Sequence, residues 1–192
     1  MAITYHAGRR LQGLSTENLG ITNSVTVTQS SSNENVGNIA GGNPTGQVFK
    51  SGAELIGKNV YEFTLYQYQS GLNADGLMTV GWYSETDDSL IEAWLVVDPT
   101  TTLTGSATAI TYTGNHIVQA DEVFGWKFTN TGGGNVFAKA QNTDVYDGTN
   151  SYYSESGSAT TGRDLKFVLK HGDIISKPTN VQVGSRFEET DT

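Results

Sequence analysis

The chain has 192 residues, no cysteine, 11 basic against 20 acidic residues, and a formal net charge of -9. That composition excludes disulfides, zinc-thiolate sites and thiol nucleophiles, and it lacks the basic excess that displaces counterions from nucleic acid. With 36% hydrophobic residues, 10% aromatics and 23 glycines, it predicts one all-β domain of short strands around an aromatic core, hiding roughly 70% of its unfolded surface.

Residues 1–18 are polar and, extended to 24, read as an N-terminal docking arm ordered by neighbours, because chain ends stay mobile unless something ties them down. Residues 25–29 (VTVTQ) alternate with period two and are β-branched, which predicts a half-buried strand. Residues 29–46 are rich in Ser, Asn and Gly and predict a surface loop; 47–50 begin a second short strand. The sequence KNVYEFTLYQY over 58–68 predicts the clearest strand, with Tyr61, Phe63 and Leu65 inward and Glu62, Thr64, Tyr66 and Tyr68 outward. A turn at 73–76 (NADG) leads into 77–84 (LMTVGWYS), which turns Met78, Val80 and Trp82 inward and is expected to pair antiparallel with the strand before it.

Residues 85–89 (ETDDS) form another turn. The apolar run 90–97 (LIEAWLVV) fits a strand or a short helix by pattern alone; turn signals on either side, Asp98-Pro99 at its end and the Thr-rich sequence that follows favour a strand. Residues 122–128 (EVFGWKF) place Phe124, Trp126 and Phe128 on one face and Lys127 on the other. The glycines at 132–134 predict a hairpin loop with a return strand over 135–140, and 164–170 (DLKFVLK) set Leu165, Phe167 and Leu169 inward. The last core strand is expected to end near His171, leaving 172–192 as a tail or linker. Two packed antiparallel sheets bury such faces, so the predicted architecture is a jelly-roll β-sandwich over 25–171.

Little in this pattern points to catalysis. His6, His116 and His171 are far apart, lack metal-ligand spacing and read as surface residues. No strained serine turn between strand and helix is visible, and no phosphate-cradling glycine loop precedes a helix. Glu62 lies on an outward strand face, while Glu85, Asp87 and Asp88 belong to a turn, so the chain reads as non-enzymatic. Asp144, Asp147 and Asn150, around a glycine, form either a structural turn or a weak calcium candidate; no other cofactor is expected. Tyr66, Tyr68, Tyr146, Tyr152 and Tyr153 suit a subunit interface or stacking on a host glycan. No stretch approaches the ~20 apolar residues of a membrane span, and no leader follows Met1, so a chain made and kept in a cytoplasm is expected.

At ITYHAGRRLQGLS over 3–15, the chain resembles the starts of virion structural proteins of tailed viruses from marine archaea and bacteria. The words GQVFKSGAELIGKNVYEFTLYQY, DVYDGTNSYY and RDLKFVLK are similar to jelly-roll modules of surface and carbohydrate-binding proteins, and GSRFEETDT resembles a join into further sequence. The resemblance implies a capsid-decorating, fibre or tail-appendage subunit, assembled into a virion in the host cytoplasm with other virion proteins and copies of itself. It implies docking through Tyr5, His6, Arg9, Arg10, Arg186 and Phe187.

Overall fold

Alternating apolar side chains become extended strands along most of the chain. A computed structural model describes residues 21–39, 43–72, 76–129, 134–146, 149–153, 158–160 and 162–174. In chain order the elements are β1 (Ile21–Gln29), β2 (Glu34–Ile39), β3 (Thr45–Phe49), β4 (Asn59–Ser70), β5 (Met78–Ser84), β6 (Leu90–Val97) and the single helical turn α1 (Pro99–Thr102). They continue with β7 (Thr108–Ile117), β8 (Glu122–Phe128), β9 (Asn135–Gln141), β10 (Thr149–Tyr153), β11 (Ser158–Thr160), β12 (Asp164–Leu165) and β13 (Phe167–Ile174). The chain divides into two units. One is Ser24–Gly172; the other joins Met1–Asn23 to Asp173–Thr192, and within it Asn23 Nδ2 donates to Asp173 Oδ2 at 2.7 Å.

The strands form two antiparallel sheets. Sheet 1 runs β1-β13-β4-β9-β12, with β2 also on β9 and β7 also on β4; sheet 2 runs β11-β10-β3-β8-β5-β6. Their inner faces meet in one aromatic core, where Phe63 of β4 stacks on Phe124 of β8 with centroids 4.1 Å apart. Phe49, Trp82, Trp126, Phe128 and Phe167 are fully buried around this pair, each side chain contributing about 2–3 kcal/mol by leaving water. The inward sets of β5, β8 and the 164–170 segment are buried as their parity predicts.

Across the middle of sheet 2, Gly46, Gly125 and Gly81 face one another on β3, β8 and β5. A Cβ at Gly125 would sit 2.2 Å from Thr45 O, and one at Gly81 would sit 2.0 Å from Glu92 O. These strands therefore approach more closely than any side chain allows.

Several expectations are corrected. β4 and the strand over 77–84 are not neighbours, because β4 lies in sheet 1 and β5 in sheet 2; the link crosses between layers and both strands still point their apolar faces inward. The glycines before β9 do not close a hairpin, since β8 and β9 also belong to different sheets. The expected loop over 29–46 contains β2, which pairs with β9 from Glu34↔Ala140 to Ile39↔Asn135; this long-range ladder overrides a polar local composition. β1 begins at Ile21, four residues before the strand expected at Val25, and β13 runs to Ile174, past His171. Finally, an irregularity between Val60 and Glu62 sends Val60 into the core instead of Tyr61, whose hydroxyl pairs with Ser24 Oγ at 2.5 Å. Of the turn at 73–76, residues 73–75 lie outside the described residues, as do 131–133 of the glycine loop.

Candidate functional site

The outer face of sheet 1 gathers aromatic and basic side chains that parity turns away from the core. On β4 these are Tyr66 and Tyr68; on β9, Phe137 and Lys139; Lys166 sits between β12 and β13. Tyr68 and Phe137 stand directly opposite each other in the β4–β9 register, and their rings stack with centroids 5.0 Å apart and planes 17° apart. The Phe137 ring also lies over Gly37 of β2, where a Cβ would be 2.6 Å from it. Glycine at that register position makes room for the aromatic ring.

Two ammonium groups complete the platform. Lys166 Nζ lies 4.2 Å from the Tyr66 ring centroid, and Lys139 Nζ lies 5.8 Å from that of Tyr68, a cation-π arrangement. Neither lysine has a carboxylate partner among the described residues, whereas Lys170, further along β13, is paired with Glu62 at 2.8 Å. Burial raises the Tyr68 phenol above its ordinary value, so it is a neutral hydroxyl. The backbone groups beneath are engaged by strands on both sides of β4. What this face offers a ligand is ring surface, hydroxyls and two cations.

A second constellation lies between the sheets. His116 on β7 meets Glu92 of β6 through Nδ1 at 2.9 Å and Glu122 of β8 through Nε2 at 2.8 Å. Glu122 also accepts from the Gln119 N–H at 2.7 Å, and the Trp94 Nε1–H donates to Glu92 at 3.2 Å. Burial pulls the imidazole pKa down, but the hydrogen bonds and negative charges of Glu122 and Glu92 outweigh it and raise the net value. The expectation that His116 is a surface residue is therefore corrected: it is buried, and its partners arrive from two other strands, Glu92 24 residues before it and Glu122 six residues after it. Both nitrogens are occupied by carboxylates, so the group acts as an electrostatic clasp across the layers.

Asp164 is a third. Fully buried, it accepts from Gln47 Nε2 at 2.7 Å, Thr149 Oγ1 at 2.9 Å, and the backbone N–H groups of Val145 at 2.8 Å and Tyr146 at 2.9 Å. Four donors saturate its oxygens, and they account for the turn that the sequence places near 144–150. Of the calcium candidates, Asp144 is exposed, Asp147 lies outside the described residues, and Asn150 is described in its backbone, within β10. Among the described residues no group of three or more acidic or histidine side chains is placed to hold a metal ion.

The five singled-out tyrosines separate. Tyr66 and Tyr68 share the platform. Tyr146, singled out with them as an interface or glycan aromatic, packs edge-on against Phe167 at 5.4 Å and donates to Glu54 at 2.7 Å, so it anchors its loop. Tyr152 and Tyr153 are described in their backbone, within β10. Tyr5, His6, Arg9, Arg10, Arg186 and Phe187 lie outside the described residues. Sequence reasoning missed Phe137, Lys139 and Lys166; the alternation of Phe137 with inward Val136 and Ala138 was the available signal for the first.

Sheet 2 presents a different outer surface at its edge. β6 pairs with β5 alone among the described residues. Its register with β5 leaves Ile91 and Trp94 unmatched, and these two bulges kink the edge. Leu77, Leu90 and Val96 are 55%, 48% and 55% exposed there, and Leu77 and Leu90 line a groove with Thr79, Tyr83 and Phe128.

No family model, curated protein or solved structure matches the chain. No helix among the described residues is long and apolar enough to cross a membrane.

Proposed function

We propose that this protein is a non-enzymatic structural subunit of a virion, of capsid-decoration, head-fibre or tail-appendage type, that associates with copies of itself. The viral part of the reading rests on the resemblance of its two ends. Self-association rests on one observation, the exposed Leu77, Leu90 and Val96 around the β6 edge, since an apolar edge left open is an aggregation hazard that a stable protein covers. The bulges at Ile91 and Trp94 favour side-chain packing between copies over a continuous intermolecular ladder. A non-enzymatic role is supported by the buried ionisable groups: His116, Glu122 and Asp164 are each committed to internal partners. The crossing of successive strands between sheets supports a jelly-roll arrangement of the sandwich.

Sedimentation velocity of the full chain tests the reading. An oligomer is expected at micromolar concentration, with Val96→Lys and Leu77→Lys each shifting it toward monomer while the melting temperature holds. A monomer at every concentration overturns self-association.

A second reading, recognition of glycans, is favoured by the Tyr66, Tyr68 and Phe137 platform on the other outer face. Aromatic faces stack on sugar rings, and phenolic hydroxyls bond their hydroxyls.

A further inference from the structure

From the outer face of sheet 1 we infer that its ligand is an anionic polysaccharide, one whose sugar rings carry carboxylate or sulfate groups, held by Tyr66, Tyr68, Phe137, Lys139 and Lys166. The inference rests on the glycan reading and adds the charge of the ligand.

Charge complementarity carries it. In a chain of net charge -9, Lys50, Arg163 and Lys170 are each paired with a carboxylate, while Lys139 and Lys166 hold their ammonium groups over tyrosine rings. Each is a cation held at an aromatic surface with no carboxylate partner among the described residues. The two residues sit on adjacent segments, joined where the Lys166 N–H donates to Lys139 O at 2.8 Å, so both reach the same side of the sheet. An anion bound there gains two charge-assisted contacts and displaces no internal ion pair.

The other chemistry of the face selects a saccharide over an acidic peptide. Peptides that add to sheets pair with free backbone at an edge, and the β4 and β9 backbone is engaged on both sides. The Tyr68–Phe137 stack offers apolar ring surface to the C–H face of a sugar, and the neutral Tyr68 hydroxyl can donate to a sugar oxygen. Lys139 and Lys166 then meet the acidic substituents of successive residues along a chain.

Titration calorimetry on the full chain decides the matter, using polygalacturonate for carboxylate, dextran sulfate for sulfate and neutral dextran as the uncharged arm. The expected result is binding of one or both charged polymers, weakened about tenfold by Lys139→Gln combined with Lys166→Gln and weakened further by salt. Lys58→Gln, at an exposed position just before β4 and eight residues from Tyr66, leaves affinity unchanged, and Lys139→Arg with Lys166→Arg preserves it. Lys139 and Lys166 are half-buried, so the melting temperature of each variant is measured alongside to verify that folding is intact. Equal binding of neutral dextran, unaffected by the double glutamine variant, overturns the charge assignment while sparing the glycan reading. No binding to any of the three overturns both. Polyglutamate competing as well as the polysaccharides overturns the saccharide assignment in favour of an acidic protein partner.

Discussion

The His116 imidazole lies face to face with the Trp82 indole, ring centroids 4.4 Å and planes 19° apart, although the two residues belong to different sheets. Glu92 and Glu122 hold the ring from its two nitrogens, an arrangement that favours its protonated form against an aromatic face between the layers. Such a group is stable while protonated and costly when neutral between two carboxylates.

Stability should therefore fall as pH rises above the ordinary histidine value. The ring titrates near 6.5 when unperturbed and at higher pH in the fold. Its contribution is complete below 6.5 and is lost as pH rises through the folded value. Melting temperature measured from pH 6 to 9 is expected to decline in the native protein and to decline less in His116→Gln. Parallel profiles for the two proteins sink the clasp.

Asp164→Ala leaves Gln47, Thr149 and two backbone N–H groups without their acceptor. The expected loss is about 3 kcal/mol in urea unfolding. Amide exchange at Val145 and Tyr146 should accelerate with it. A loss within 0.5 kcal/mol, about the size of an ordinary surface change, contradicts the network.

The glycine row separates close packing from glycine content. Gly125→Ala drives a methyl into Thr45 backbone, whereas Gly105 has nothing within 4 Å of its would-be Cβ. The first change should cost about 3 kcal/mol or more and the second about 0.5 kcal/mol or less. Chemical denaturation of both variants reads the difference, and equal costs would refute the close approach.

Tyr112 donates to Gln67 Oε1 at 2.5 Å in the buried interior, and Gln67 Nε2 has no hydrogen-bond partner among the described residues. Tyr112→Phe keeps the ring and strands the amide oxygen as well, with an expected cost of about 1–2 kcal/mol. Thermal unfolding at neutral pH is sufficient to measure it. An unchanged midpoint would mean the amide finds another donor.

How far the sequence reaches depends on whether a property is local. Alternation alone determined that the chain is all-β, and that Met78, Val80 and Trp82, Phe124, Trp126 and Phe128, and Leu165, Phe167 and Leu169 form the core, because side-chain direction along a strand repeats every two residues. It also turned Tyr66 and Tyr68 outward. Parity failed at Tyr61, where a single irregular residue reverses the faces. Only the tertiary structure decided which strands pair: β4 and β5 separated into two layers, β2 drawn onto β9, His116 enclosed by Glu92 and Glu122, and Lys139 and Lys166 set over the rings of Tyr68 and Tyr66. Except for Glu122, six residues after His116, those partners are far apart along the chain, and the energies that choose them arise from packing and charge between faces that meet only after folding.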